Sequence, residues 1–200
     1  MAEFRLVYEM LPLSVHETWD KAKYEWELED LYYGDSICLC GKDPIKNICV
    51  LKNKLNDKRC EVGNVCVKRF TDLPSDLIFR AIKRISKRID NLLNIETTSF
   101  AFGAGWINEY EFKFYDKKYK KRTKKEKPLT DNQIKVMKQI NQKVLDRVSN
   151  GRNYNQEILD YKFDSNGNVQ KNQESKPKSP SPILKVQKSH EINCQEFVPN

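Results

Sequence analysis

Residues 37–70, ICLCGKDPIKNICVLKNKLNDKRCEVGNVCVKRF, hold five of the six cysteines of the chain: Cys38, Cys40, Cys49, Cys60 and Cys66. Two thiols one residue apart do not readily bridge each other, but from a tight turn they can grip one metal ion. Gly41 follows directly and suits such a turn, since glycine takes the positive φ that lets backbone amides face thiolates. Residues 48–53 are rich in β-branched and long apolar side chains, and residues 59–62 can pair with them. Asn56 and Asp57 between the two are good hairpin-turn residues. Gly63, Asn64 and Val65 then lead to Cys66, expected in the first turn of a short helix running to Phe70.

A turn with two thiols, a hairpin and a helix start with another make a small treble-clef-like zinc finger. Zinc takes four N or S ligands in a tetrahedron, so the stretch offers one thiol more than a structural site uses. The expected ligands of one structural Zn2+ are Cys38, Cys40, Cys49 and Cys66, with Cys60 as the alternative to Cys49. A disulfide framework would need oxidising surroundings, and MAEFRLVYEM carries no signal-peptide pattern. Reduced thiols on a metal are the better reading of this spacing.

The pattern CLCGK…ICVLKNKL…EVGNVCVKRF resembles a small zinc-finger domain that recurs in proteins of bacteriophages and large DNA viruses, mostly of unassigned function. The later run GWINEYEFKFYDKKYKKR…LTDNQIKVMKQINQKVL is similar to the helical segment that follows that finger, so the resemblance spans residues 25–145. It implies the same four ligands, with Cys38, Cys40 and Cys66 the most regular. At the position of Cys49 the family has Cys or sometimes another polar residue, and it has no fixed thiol at Cys60. Neither an activity nor a target comes with the resemblance.

Length and composition bound the rest. Two hundred residues have room for one compact domain with appendages, and 38% hydrophobic against 32% charged residues leaves part of the chain outside a core. A net charge of +8 and a pI of about 9.1 suit a polyanionic partner, or solubility alone. No apolar run approaches the roughly 18 residues of a membrane span, so no membrane partner is expected. The expected location is intracellular, in the cytoplasm or nucleus of the infected cell.

The chain divides into four regions: an N-terminal helix and acidic lead-in (1–36), the zinc finger (37–71), a basic helical segment (72–150), and a marginal hairpin with a disordered tail (151–200). The expected class is α+β and mainly helical, with the finger's hairpin packed on the helices. MAEFRLVYEM fits a short strand or a segment packed across the domain. Ser14 and Glu17 read as a capping box opening a helix to about Glu25, with Val15, Trp19, Ala22 and Trp26 on one face. The alternation of Trp26, Leu28 and Leu31 with acids fits either a strand or a helix end. Those acids suit a solvated face or intramolecular partners for the lysines better than a paired-carboxylate site.

After Phe70, Ser75 caps a helix over residues 76–93 whose stripe is Ile78, Ile82, Ile85, Ile89 and Leu92. Arg80, Lys83, Arg84, Lys87 and Arg88 fall off that stripe as a positive face. Residues 97–105 read as a short helix, and Asn108 caps an aromatic one over 107–121, with Ile107, Tyr110 and Phe114 on one face. Aromatics at that spacing suit a core, and interleaved with lysines they also suit stacking on single-stranded bases. The basic peak comes next, with Lys117, Lys118, Lys120, Lys121, Arg122, Lys124 and Lys125 at its centre. Thr130 and Gln133 cap a last helix to about Ser149, closed by Gly151, with Ile134, Met137, Ile140, Val144 and Val148 buried. Residues 161–169 carry an Asn-Gly turn, and the tail contains SPSP, His190 and Cys194.

The expected function is a zinc-stabilised nucleic-acid-binding protein, DNA or RNA, acting in replication, recombination or transcription. Its phosphate contacts would come from Arg80, Lys83, Arg84, Lys87, Arg88 and the later basic run. The alternative is a zinc-finger adaptor for a polymerase subunit or host factor. No enzyme is expected: His16 has no evident nucleophile near it in sequence, and neither a P-loop nor a Rossmann glycine pattern occurs.

Overall fold

The computed structural model describes residues 2–70, 73–121, 128–151, 161–163 and 169–171. Among these, seven α-helices pack around a three-stranded antiparallel sheet in the order β1-β2-β3, an α+β arrangement. The strands are β1 (Trp26–Ser36), β2 (Ile45–Asn53) and β3 (Arg59–Gly63). Residues opposite one another in such a ladder share a face. Cys49 stands between Leu31 and Val62, and Leu51 between Leu28 and Cys60, so these residues make one face. Ile48 and Val50, opposite Tyr32, Asp30 and Glu61, make the other. The middle strand is buried on both sides, hence the unbroken apolar run ICVL at 48–51.

Helix α1 (Ala2–Met10) and α4 (Ser75–Lys87) cover the first face. Met10 Sδ lies 3.5 Å from Cys60 Sγ, and the ring of Phe79 packs on Tyr33 at 5.6 Å. Helix α7 (Asp131–Asn150) covers the second, where Arg147 donates to Asp30 at 2.8 Å. Beyond its end the Tyr32 ring stands 3.2 Å from where a Cβ on Gly151 would sit.

For the first 36 residues two expectations are corrected and one left open is decided. MAEFRLVYEM forms a helix, α1, because Leu6 and Met10 fall one turn apart and both are buried. Residues 14–25 are not one helix: only α2 (Trp19–Ala22) is helical there. Ser14 instead donates to Met10 O at 2.9 Å, and the Glu25 carboxylate gathers the Val15 and His16 N–H groups at 2.8 and 2.7 Å. Those bonds fold the segment into a loop over Glu25. The acidic lead-in is a strand, β1, with a bulge at Glu29, and it joins the hairpin of residues 45–63 in one sheet. Its acids find intramolecular cations: Glu29 takes both arms of Arg59 at 2.8 and 2.9 Å, Asp30 takes Arg147, and Asp35 takes Lys46.

Helix α4 ends at Lys87, not near residue 93. Ile78, Ile82 and Ile85 are buried as expected, but Ile89 and Leu92 belong to the following turn and are only partly covered. Asn91 explains the stop, since its amide donates to Arg84 O at 3.1 Å and caps the last carbonyls. Asn94 then caps α5 (Ile95–Gly103), accepting from Thr97 N at 3.0 Å. Asn108 caps α6 (Glu109–Lys121) reciprocally with Glu111 at 3.0 and 2.9 Å. Its buried anchor is Tyr115, whereas Tyr110 is 72% exposed, so the expected core face is rotated. The capping box at Thr130 and Gln133 is present, and Met137, Ile140, Val144 and Val148 are buried. The strands β4 (Tyr161–Phe163) and β5 (Val169–Lys171) pair antiparallel. The tail beyond residue 171, with SPSP, His190 and Cys194, lies outside the described residues.

Candidate metal centre and basic faces

Cys38 and Cys40 sit in the turn that leaves β1. Gly41 N donates to Cys38 O at 2.6 Å and Cys38 N to Lys42 O at 2.9 Å, closing the turn on itself. Gly41 takes φ +86°, and the guanidinium of Arg5 lies where its Cβ would be, so both conformation and space call for glycine. The Asp43–Pro44 peptide that follows is cis. Cys66 comes from α3 (Asn64–Val67), a single helical turn that begins where β3 ends. The sulfurs of Cys38, Cys40 and Cys66 all lie within 4.8 Å of one another.

This spacing suits a metal. Tetrahedral zinc with bonds of about 2.3 Å puts its sulfurs about 3.8 Å apart, within a small adjustment of the present cluster. Cys38 is the electron-rich member. A hydrogen bond from the Cys66 thiol does most to lower its pKa to about 6, and Gly63 N–H, 3.2 Å from the sulfur, helps against the opposing effect of burial. Cys66 is pushed up, chiefly by donating to Cys38 and then by burial, while burial leads in raising Cys40. Cys38 is thus the thiol whose ionisation its neighbours favour, and a divalent cation would let the other two ionise beside it. A cavity of about 340 Å3 opens beside the cluster, lined on its outer side by Lys42, Lys46, Asn47 and Asn64.

The structure brings together three of the expected zinc ligands and holds the fourth apart. Cys49 is fully buried in the middle of β2, faces the Ser75 hydroxyl, and is outside the group of three. Burial pushes its thiol pKa up, even with that hydroxyl beside it. Cys60, the alternative, lies two residues further along the same sheet face against Met10, and is also outside the group. The strand pairing accounts for both, because it points Cys49 and Cys60 into the layer under α1 and α4. His16, read as having no evident nucleophile near it, pairs with a carboxylate: its Nδ1 is 2.6 Å from Glu25. Glu25 is a structural carboxylate. Burial raises its pKa, but the Val15, Asn53 and His16 bonds together lower it to about 2.

The basic residues fall on two faces. Arg80, Lys83, Arg84, Lys87 and Arg88 are all exposed, on α4 and just past its end, opposite the buried isoleucines. Three of them have local partners: Arg80 with Asp76 O, Arg84 with Leu92 O, and Arg88 with Asp90. On α6, Lys117 is exposed, and Lys118 is partly covered and donates to Gln133 at 3.1 Å. The side chains of Lys120 and Lys121, and all of Arg122, Lys124 and Lys125, lie outside the described residues. Sequence reasoning missed Asn141, buried in α7, which donates to Ile89 O and Asn91 O at 2.6 and 2.8 Å and accepts from Tyr115 at 2.6 Å. Its one signal was an asparagine next to Ile140 on an otherwise apolar stripe. No helix among the described residues is long and apolar enough to cross a membrane. Comparison with protein families, with curated proteins and with solved structures finds no match to this chain.

Proposed function

We propose that the protein is a zinc-stabilised nucleic-acid-binding protein of viral or phage type, acting in replication, recombination or transcription. The observation that carries this reading is the convergence of Cys38, Cys40 and Cys66, from a turn and a helix start on either side of a hairpin. That is the logic of a treble clef, and it fits the resemblance to the small viral finger. Cys49 is the fourth ligand in this proposal, and reaching the other three requires its side chain to turn away from Ser75 and from the layer under α4. Four protein ligands would leave no position for a reactive water, so the ion in this proposal is structural.

The finger stands directly before α4, with Asn64 of α3 bonded to Asp76 in its first turn and Lys68 to the same carboxylate. The ion therefore orients the basic face that would meet phosphates, through Arg80, Lys83, Arg84, Lys87 and Arg88. A second set of phosphate contacts would come from the basic run of Lys117, Lys118, Lys120, Lys121, Arg122, Lys124 and Lys125, of which the side chains of Lys117 and Lys118 are described. Phosphate contacts of this kind release counterions, so affinity falls steeply with salt. A filter-binding titration from about 50 to 200 mM salt tests it. The reading expects a steep negative slope that flattens when Lys83 and Lys87 become alanine; no retention of any nucleic acid at the lowest salt rejects it.

A second reading rests on Phe4 and Tyr8, one turn apart on α1 and 84% and 74% exposed. Such a pair suits a protein partner, making the chain a zinc-finger adaptor. A stoichiometric partner that survives nuclease in a pull-down would favour that reading, and its loss on nuclease treatment would favour the first.

A further inference from the structure

The groove between α6 and the first turn of α7 combines features that a merely solvated basic face lacks. It is a concavity of about 390 Å3 whose apolar wall is Tyr110, Phe114 and Val136. Tyr110 leaves 72% of its surface in water, although Tyr115 of the same helix is wholly buried and already anchors α6 to the core. Tyr110 is therefore surplus to the packing of α6, while Phe114 beside it rests on Tyr115 at 5.5 Å and is held in place by the core. Around it stand Lys113, Lys117 and Lys118. Lys118 Nζ lies 6.0 Å from the centre of the Phe114 ring and bonds a neutral group, Gln133. Lys113 pairs at 2.5 Å with Glu109, but both are well exposed and the pair opens at little cost. Lys117 has no carboxylate partner among the described residues, so the rim is net positive.

We propose that this groove takes an unpaired base of a single-stranded nucleic acid against Tyr110 and Phe114, with the adjoining phosphates on Lys113, Lys117 and Lys118. The proposal rests on the nucleic-acid reading above and narrows it. A duplex hides its base faces in the stack, so it can use the lysines but not the aromatic wall. A single strand offers both, and every base has a π-face to lay on a ring. The convex face of α4, without aromatics, suits phosphates alone. Single-strand and duplex affinities should then respond to different residues.

The test uses the full chain and fluorescence anisotropy with a labelled oligothymidylate, a duplex of equal length, and a free nucleotide as competitor. Tyr110→Ala and Lys117→Ala alter exposed side chains, so circular dichroism should match the parent. Tyr110→Ala is expected to weaken oligothymidylate about tenfold while leaving duplex binding and the salt slope unchanged. Lys117→Ala should reduce the salt slope for the oligothymidylate. Competition by free nucleotide at micromolar levels would show that one base and its phosphate suffice. If Tyr110→Ala leaves single-strand affinity intact while Lys83→Ala with Lys87→Ala abolishes it, the groove assignment is wrong and the broader reading stands. If neither oligonucleotide binds, both fail, and a protein partner on α6 becomes the alternative.

Discussion

Two turns in this protein are held by side chains from elsewhere in the chain, and they are held differently. The turn at residues 38–42 ends in a knot of thiols, Cys38 and Cys40 meeting Cys66, with one proton-poor sulfur at its centre. The turn at residues 88–94 is closed by the protein alone. Asn141 donates to two of its carbonyls, Tyr119 donates to Leu93 O at 2.5 Å, and Tyr115 completes the amide of Asn141. The second needs nothing further, because each of those buried groups has its partner. In the first, burial opposes ionisation of all three thiols at once, a conflict that a bound cation would resolve.

Removing the ion breaks the comparison most sharply. A chelator, or Cys66→Ala, should lower the melting temperature by about 10 °C or more, since metal binding and folding are linked for a small thiolate site. Differential scanning fluorimetry with and without chelator reads this, and the turn at 88–94 should outlast the finger in hydrogen exchange. Asn141→Ala comes next. It removes the partner of the half-buried Ile89 and Asn91 carbonyls and one partner of the buried Tyr115 hydroxyl, and should cost about 1–3 kcal/mol in urea unfolding while leaving metal content unchanged.

Glu25 gives a smaller effect with a definite pH dependence. Its folded pKa is about 2 against an ordinary 4.5, so its contribution is present above about pH 4.5 and is lost as pH falls toward 2. Glu25→Gln should therefore destabilise the protein by about 1–3 kcal/mol at pH 7 and much less at pH 3, seen in urea melts at both values. The smallest change distinguishes the two buried thiols that stand outside the group of three. Cys60→Ala should cost about 1 kcal/mol and keep full metal content, whereas Cys49→Ala should lower metal affinity.

The cysteine turn was legible because its chemistry is local: C-x-C-G and G-N-V-C announce a turn and a helix start within a few residues each. The hairpin, the capping box at Thr130 and the stripe of α7 were readable for the same reason. What escaped was set by partners outside the few residues that a cap or turn motif spans. Glu25 pulls two N–H groups out of a helix that Ser14 and Glu17 otherwise favour, and Asn91 ends α4 although Ile89 and Leu92 keep its period. The apolar pattern of β1 is blurred by Asp30, which is buried with Arg147 reaching it from far downstream. Which face of α6 is core depended on Asn141, which satisfies the buried Tyr115 hydroxyl there. The direction of Cys49 came from strand register, which spacing between cysteines does not encode.

The central claim is that Cys38, Cys40 and Cys66 share one ion, and elemental analysis combined with alkylation mass spectrometry tests it most directly. Protein purified without added metal should carry close to one zinc per chain, with these three thiols protected from alkylation until a strong chelator is added. Metal-free protein that melts at the same temperature with and without chelator, its three thiols alkylating freely throughout, would contradict it.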